Sequence, residues 1–516
     1  MSQSRVENSM RNSLVGMISY SLTSVITFVS RAIFIRELGV EYLGVSGLYS
    51  NILSVLALSD LGIYTVMVFS LYKPVAEGDT QRIASMMKYY QRLYLLIAGV
   101  VLLLGLACIP LLPFVVNNSG LSQQELVLYY VLILANSMCS YLAITKSTLI
   151  RADQKMRIIQ GVQMATSLCM HLVQIAILIW LHNYTVYLCM PIIFTLFNNV
   201  ILTLIANRKY PYLKTQGAIP VDKEIKKNIA SNLKATFLYK MGATIINSTD
   251  NILISVLLGT LVVGYYNNYY TVITVVNAVI TIFITSISAS IGNYNATKSS
   301  FEKFKLFRML LMGFYGVASF AAACYVAIFN DFMRIWIGEA FLLDDGFLLA
   351  LVFNVTVACV SNPLWMTRES SGVFQSVRYV MLGAAAINVV LSIVLARVCG
   401  LSGIILATAI ARLLTLFWYE PKMLCQKAFD VPVHLYWRYV LKLFVALLPA
   451  ACIGWLLHGI ETTNVLAMVG KVAACGATVV CSFAFVFRNS EEMVKTIALL
   501  RTFGPIRRMT SKTKQE

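Results

Sequence analysis

Residues 14–35 are LVGMISYSLTSVITFVSRAIFI, an apolar run of 22 residues that contains one charged side chain, Arg31. An α-helix rises about 1.5 Å per residue, so roughly 20 apolar residues cross the ~30 Å hydrocarbon core of a bilayer. No small-residue cleavage site follows a short apolar stretch here, as it would in a signal peptide. We therefore predict that this run is an uncleaved first membrane span.

Thirteen further apolar segments follow this run along the chain, and most of the segments are 19 to 29 residues long. They predict an all-α, polytopic membrane protein with 14 transmembrane helices. Hydrophobic residues make up 59% of the chain and charged residues 12%, which a soluble domain could not accommodate. The further predicted spans are Leu43–Leu71, Leu93–Val116, Leu126–Ile150, Ile158–Leu181, Val186–Ala206, Ile229–Leu257, Val262–Ile291, Leu306–Phe329, Phe347–Met366, Val380–Val398, Leu401–Tyr419, Tyr439–Leu457 and Val465–Phe487.

The 41 Lys and Arg residues alternate between the predicted loops. If the N-terminus is cytoplasmic, Arg36, Arg334 and Arg397, the last at the outer end of span eleven, are the only Lys or Arg residues that fall on the external side. Cytoplasmic loops of membrane proteins carry an excess of Lys and Arg, so the pattern predicts that both termini are cytoplasmic. The net charge of +18 then reflects topology and attraction to an anionic inner leaflet, and we expect no nucleic-acid binding.

Signatures of catalysis and of metal binding are missing from the sequence. It contains no GxxxxGK[ST] phosphate loop, no nucleophile elbow and no paired-carboxylate hydrolase site. The 11 cysteines form no CxxC pair, and the four histidines have no metal-ligand spacing. No loop is long enough to fold as a separate domain. We therefore predict that the protein is not an enzyme and that it holds no cofactor and no bound metal.

An internal repeat relates the two halves of the chain. A shift of 220 residues aligns Leu38-Gly39 with Leu258-Gly259, and Gly44 with Gly264. Six spans precede the second copy, so the repeats are parallel and related by an axis along the membrane normal. We predict two pseudo-symmetric six-helix bundles, residues 1–206 and 229–420, joined by a basic cytoplasmic linker, residues 207–228. Residues 421–516 then form two extra helices and a basic cytoplasmic tail.

Polar side chains form stripes along several predicted spans at helical spacing. One interpretation is ordinary hydrogen bonding between helices, and the other, which we favour, is a water-filled lumen. The stripes comprise Tyr20, Ser24, Thr27 and Arg31 in span one; Gln160, Gln163, Ser167, His171 and Gln174 in span five; Thr236, Lys240, Thr244, Asn247 and Asn251 in span seven; and Asn267, Thr271, Thr274, Thr281, Thr285 and Ser288 in span eight.

Charged residues within the spans are more informative, because each costs about 2.5–3.5 kcal/mol at the centre of a membrane helix. Lys240 and Arg412 lie about ten residues from a helix end, so neither can easily reach the interface. Asp60 and Asp250 also lie within spans. Arg368 and Glu369, at the cytoplasmic mouth of span ten, form either a gate or an ordinary ion pair. For Lys442 and Lys471, nearer the interfaces, we expect snorkelling.

Several stretches of this sequence resemble bacterial polysaccharide flippases. They are RAIFIRELGVEYLGVSGLY (residues 31–49), NIL (51–53), SDLGI (59–63), LYKPVAEGD (71–79), DNILISVLLG (250–259), IWIG (335–338) and WYEP (418–421). Together with the span count and the repeat, the resemblance covers nearly the whole chain. The group comprises O-antigen, capsule and exopolysaccharide repeat-unit translocases of the multidrug/oligosaccharidyl-lipid/polysaccharide superfamily. This resemblance implies a fold like that of the multidrug MATE transporters.

The resemblance also implies a function and a set of site residues. Such proteins move an undecaprenyl-pyrophosphate-linked oligosaccharide from the cytoplasmic to the outer leaflet of the bacterial plasma membrane. Desolvated phosphates need cationic partners, and sugar hydroxyls need amide and hydroxyl groups. The implied cations are Arg31, Lys240, Arg412 and Arg368; the candidate polar contacts are Asn247, Gln163, His171 and Gln174; the candidate coupling or gating acids are Asp60, Asp250 and Glu369.

Two other functional classes stay open at this point. The first is a multidrug or metabolite exporter of the same superfamily, although a site for organic cations should be dominated by carboxylates. The second is a membrane polysaccharide polymerase or glycosyltransferase, which would need a catalytic loop larger than the external loops here. The sequence leaves the glycan and the energy source, including an H⁺ or Na⁺ coupling ion, undetermined. Expected partners are the lipid bilayer, the lipid-linked glycan, a polysaccharide polymerase and glycosyltransferases.

Overall fold

A computed structural model of the protein describes residues 2–57, 63–117, 120–215, 223–297, 299–371 and 377–494. These residues are helical with short connections and contain no strand. Within this part of the chain, ten helices are long and apolar enough to cross a membrane, and a bent helix pair adds an eleventh. The predicted all-α, polytopic membrane fold is therefore confirmed.

Each of the fourteen predicted spans overlaps a described helix, so the helices are consistent with the predicted count. Several helices extend past the apolar runs, because backbone hydrogen bonding continues where side chains become polar. The helices are α1 Ser2–Leu38, α2 Glu41–Leu56, α3 Ile63–Glu77, α4 Thr80–Ala107, α5 Leu112–Val115, α6 Gln123–Ser140, α7 Ile144–Ala152, α8 Met156–Leu181, α9 Tyr184–Lys209, α10 Tyr212–Thr215, α11 Lys223–Leu258, α12 Thr260–Thr297, α13 Ser300–Trp336, α14 Asp345–Ser370, α15 Arg378–Leu414, α16 Leu416–Leu424, α17 Val433–His458 and α18 Val465–Phe487.

One predicted span is divided in two, and the boundary between two other spans lies at a kink. Predicted span four is broken into α6 and α7, which meet at an angle of 42° around residues 141–143. The predicted boundary between spans eleven and twelve falls at a sharp kink of α15 at Gly400, where φ is +58°. A left-handed backbone conformation costs glycine little, so the chain can reverse here without a longer loop.

The described residues form two compact units. One contains residues 1–286 with 381–389, and the other contains residues 287–380 with 390–516. In the first unit, α1 packs along α8, α8 packs on α9, and α9 packs on α6. The first unit also contains the contact between α11 and α2. The predicted division into bundles, linker and tail stays a prediction.

The two repeated hairpins, which turn at residues 38–44 and 258–264, contact each other within the first unit. Gly39 and Gly259 both adopt positive φ, +90° and +109°, immediately after α1 and α11. A Cβ atom on Gly44 would lie 2.2 Å from the carbonyl oxygen of Thr260, and one on Gly264 would lie 2.4 Å from that of Val40. Because Thr260 is itself 220 residues after Val40, each repeat presents the same surface to the other.

The C-terminal helices α17 and α18 pack against α13 in the second unit. Lys471 of α18 is buried and forms an ion pair of 2.7 Å with Asp331 of α13. It also donates to the carbonyl oxygen of Ala327, at 3.1 Å. The expectation that Lys471 snorkels was wrong, because a carboxylate on a neighbouring helix satisfies it inside the protein. Lys442 of α17 is exposed, as the snorkelling prediction requires.

Candidate functional site

Arg31 lies where the two repeats meet in the first unit. It is half-buried in α1, and its Nε donates a hydrogen bond of 2.8 Å to Oδ1 of Asn268, a fully buried residue of α12. Among the residues whose side chains the structure describes, no carboxylate lies within ion-pair distance of Arg31. The guanidinium is therefore hydrogen-bonded to a neutral amide and is not paired with a described carboxylate.

Buried amides with unused hydrogen-bonding atoms lie on the helices next to Arg31. Asn251 of α11 donates to Asn267 of α12 at 3.2 Å. Gly47 makes room for this pair, because a Cβ atom at position 47 would lie 2.0 Å from Nδ2 of Asn267. The buried atoms Asn267 Nδ2, Asn268 Nδ2 and Asn251 Oδ1 have no hydrogen-bond partner in the described structure. Buried polar atoms of this kind are normally satisfied, so they indicate a place for water or a polar ligand.

The predicted polar stripe of α8 divides between two neighbouring helices. Nε2 of His171 lies 3.4 Å from Oγ1 of Thr27 on α1. Gln160 also approaches α1, where a Cβ atom on Gly16 would lie 2.7 Å from its Nε2. Gln174 is buried and instead donates to the carbonyl oxygen of Tyr187 on α9, at 3.4 Å. A helical stripe spans enough of the surface to meet two neighbours, so one row of polar residues contributes to two interfaces.

Gln163 lines a polar cavity of about 420 Å³ within the first unit. The cavity lies where α6 and α7 bend against α8 and α9. Its polar lining is hydroxyl and amide in character and includes no charged residue; the residues are Ser140, Ser147, Gln163, Thr166, Ser167, Thr195, Asn198 and Asn199. Oδ1 of Asn198 is buried without a described hydrogen-bond partner. The cavity is within the size range of small-molecule sites, and its neutral donors and acceptors suit hydroxyl-rich groups.

Arg368 is compensated by a carboxylate that the sequence did not single out. It is buried in α14 and forms an ion pair with the buried Glu420 of α16. Glu369 lies 3.5 Å from the guanidinium and is 43% exposed. The group that forms either a gate or an ordinary ion pair therefore consists of Arg368, Glu369 and Glu420. A role for Arg368 in substrate binding would require Glu420 to release it.

The remaining predicted site residues are spread over both units. Asp250 is buried and Asn247 is exposed on α11, while Arg412 is half-buried near the end of α15. Asp60 and the side chain of Lys240 lie outside the described residues. The roles assigned to all of these residues stay predictions.

Sequence reasoning missed the residues that complete these contacts, namely Asn268, Glu420 and Asn198. Asn267 was included in the stripe of α12, but its neighbour Asn268 points to the other repeat and holds Arg31. Glu420 lies in the WYEP stretch, and the sequence does not indicate which residue it pairs with. Among the described residues, no group of three His, Cys, Asp or Glu side chains is placed to hold a metal ion.

Comparisons with known proteins identify the family of this chain. The sequence profile of the family described as "Polysaccharide biosynthesis protein" matches residues 9–290, which is more than half of the chain. No curated protein sequence matches.

The fold is similar to those of two groups of solved membrane proteins. The lipid II flippase MurJ, in an inward closed conformation, matches with a TM-score of 0.67 at 11% identity. The match covers 92% of this chain and 99% of the MurJ chain. An inward-facing multidrug resistance MATE family transporter of the MOP superfamily has a TM-score of 0.57 at 12% identity, covering 91% and 99%. The MATE multidrug transporter DinF-BH has a TM-score of 0.59 at 13% identity, covering 83% and 96%.

Proposed function

Because this chain belongs to the polysaccharide biosynthesis protein family and has the MurJ and MATE fold, we propose that it is a lipid-linked oligosaccharide flippase. The cargo is a polyprenyl-pyrophosphate-linked repeat unit, which moves from the cytoplasmic to the outer leaflet of a bacterial plasma membrane. Both termini are cytoplasmic in this proposal. The protein makes and breaks no covalent bond, so it acts as a transporter and not as an enzyme.

The observation that carries this proposal is the environment of Arg31. A cation within a membrane helix is costly, and that cost is usually reduced by a carboxylate or a water-filled cavity. Arg31 is instead held by the amide of Asn268, beside buried amide atoms without described partners. A pyrophosphate would accept charge-assisted hydrogen bonds from the guanidinium, while the amides suit its oxygens and the adjoining sugar.

The contact between the repeats supports movement by alternating access. Arg31 belongs to the first repeat and Asn268 to the second, so relative motion of the two repeated hairpins would change the surroundings of the guanidinium. The cargo would then bind on one side of the membrane and be released on the other. Asp250 and the other predicted acids are candidates for coupling to an H⁺ or Na⁺ gradient. A polymerase and glycosyltransferases are the expected functional partners.

We expect Arg31→Gln to lower the initial translocation rate by about 10- to 100-fold, because a charge-assisted hydrogen bond contributes about 1.5–3 kcal/mol. The assay uses the full-length chain in liposomes that contain an undecaprenyl-pyrophosphate-linked oligosaccharide. A membrane-impermeant lectin measures the glycan that reaches the opposite leaflet.

The matched control is Arg36→Gln, five residues further along α1. Arg36 is 71% exposed and pairs with Glu37, so its replacement should change the rate by less than twofold. An Arg31→Gln rate equal to wild type at equal abundance would reject the role of Arg31. If the wild-type chain moves no glycan lipid but exports an organic cation, the flippase proposal is wrong.

A further inference from the structure

A cluster of basic side chains lies where α7, α8 and α9 end on the predicted cytoplasmic side. Between Tyr141 and Tyr210 the sequence has six Lys and Arg residues and one carboxylate, Asp153. Five of the six basic residues are half-buried; these are Lys146, Arg151, Lys155, Arg157 and Lys209. We call these five residues the basic cluster.

Two lysines of the basic cluster lie next to each other around that single carboxylate. Lys155 pairs with Asp153, and its side chain is 28% exposed. The hydroxyl of Tyr210 donates to the same carboxylate oxygen, at 2.7 Å. Burial, and then the adjacent Lys155 ammonium, lower the pKa of Lys209 to about 8. Lys209 is therefore held where its positive charge is under-compensated, unlike a freely solvated lysine.

The backbone around the basic cluster is held in place by the first helix. Nδ2 of Asn12 donates to the carbonyl oxygen of Gln154, at 2.8 Å, and its Oδ1 accepts from the backbone amide of Arg157, at 2.9 Å. Gln154 has a φ of +58°, an uncommon conformation for a residue with a side chain. Lys146 donates to Oδ1 of Asn207, at 3.1 Å, which joins the start of α7 to the end of α9. These contacts order the cluster before any ligand arrives.

Residues of the basic cluster lie one to two helical turns from the lining of the neutral polar cavity. Ser147 lines the cavity, and Arg151 follows it by one helical turn on the same face of α7. Leu202 also lines the cavity and precedes Lys209 by about two turns of α9. A ligand with an anionic group and an attached hydroxyl-rich group would meet first cations and then neutral hydrogen-bonding atoms along these helices.

We propose that the basic cluster is a binding site for the phosphate group of a membrane lipid at the cytoplasmic face. This inference rests on the proposed function, which it deepens by giving the cargo an entry site separate from Arg31. The excess of Lys and Arg in cytoplasmic loops would place basic residues on the cytoplasmic side in any case, but exposed and well-separated residues fulfil that rule. Half-buried lysines side by side instead carry an electrostatic cost that an anionic phosphate group would lower.

The test is a titration of the purified full-length chain in neutral detergent, followed by native mass spectrometry. One arm adds undecaprenyl pyrophosphate and the other adds phosphatidylglycerol, which distinguishes a carrier lipid from a bulk anionic lipid. We expect one-to-one binding in at least one arm. The double change Lys155→Gln with Lys209→Gln should weaken that binding by about 30-fold, the effect of two lysines near an anionic headgroup.

The matched control is Lys73→Gln, which removes one basic charge at the cytoplasmic end of another helix. Lys73 is 76% exposed and pairs with Glu77, so lipid binding should stay within twofold of wild type. Equal weakening in the control would show general charge attraction and overturn the proposal, as would unchanged binding in the double variant. If the double variant binds normally while wild type still translocates glycan lipid, this inference fails and the proposed function stands. If the double variant loses lipid binding while wild type translocates no glycan lipid, the lipid site is supported and the proposed function fails.

The pH dependence of binding gives a second readout. A bound phosphate raises the pKa of Lys209, so binding requires no proton uptake below pH 8 and requires it above. Affinity should therefore fall between pH 8 and 10, where the phosphate charge is unchanged. The charged or titratable groups facing Lys209 are Lys155, Asp153 and Arg157. In Lys209→Arg the affinity should lose most of this pH dependence, and a decline as steep as that of wild type would contradict the role of Lys209.

Discussion

Replacing Lys471 by alanine is expected to lower the free energy of unfolding by about 3–5 kcal/mol. The change removes the 2.7 Å ion pair of the buried Asp331, which keeps, among the described cations, only the more distant guanidinium of Arg334 at 3.7 Å, and it removes the donor to the carbonyl oxygen of Ala327. A buried carboxylate that loses its close cationic partner is costly, because its desolvation is then less well compensated. Equilibrium unfolding of the purified chain in mixed micelles with increasing SDS measures the loss.

A double change separates the cost of leaving Asp331 charged without Lys471 from the cost of lost packing. Lys471→Met with Asp331→Asn removes both charges and keeps an acceptor for the backbone amide of Thr462, which now donates to Asp331 at 3.2 Å. We expect it to regain more than half of the stability lost in the single variant. Lys442→Ala, in the exposed part of α17, should change the unfolding free energy by less than about 0.5 kcal/mol. Equal losses for Lys442→Ala and Lys471→Ala would contradict the importance of the buried pair.

Gly44→Ala is expected to force the two repeated hairpins apart and to lower the free energy of unfolding by about 1–3 kcal/mol. The added methyl carbon would lie 2.2 Å from the carbonyl oxygen of Thr260 and 3.2 Å from the backbone nitrogen of Gly264. Both neighbours are backbone atoms, so no side chain can rotate away. The same micelle unfolding experiment measures the effect.

The repeat gives this prediction its internal control. Gly264→Ala places a methyl carbon 2.4 Å from the carbonyl oxygen of Val40, so it should have a similar effect. The double variant should lose less than the sum of the single losses, since both changes open one contact. Gly99→Ala in α4 has no atom within 4 Å of the added carbon and should be neutral or stabilising. A Gly44→Ala variant as stable as Gly99→Ala would show that the hairpins do not pack this closely.

The spans were predictable because membrane insertion depends on local sequence. A run of about 20 apolar residues must form a helix in the bilayer, where every backbone group needs an internal partner. The bend between α6 and α7 was not predictable from residues 126–150, because that run contains no glycine or proline to mark a break in the helix. The internal repeat was visible in the glycines, since Gly44 and Gly264 must stay small for a reason that both halves share.

The polar residues show the limit of sequence reasoning. Periodicity placed Gln163 and Gln174 on one stripe. It could not show that Gln163 lines a cavity while Gln174 contacts Tyr187. The same pattern predicted snorkelling for both Lys442 and Lys471, although the structure buries one of them. Distance from a helix end is a property of the sequence, whereas the neighbour at that depth is not.

The sequence by itself determined a polytopic helical membrane protein, its internal repeat and the positions of its deep charges, because hydrophobic length and spacing act locally along the chain. The tertiary structure decided which charges are neutralised. Glu420 lies 52 residues after Arg368 and Asp331 lies 140 residues before Lys471, whereas Arg31 meets the amide of Asn268. Partners so distant in sequence meet only through helix packing, and packing thus determines which cations are paired with a carboxylate.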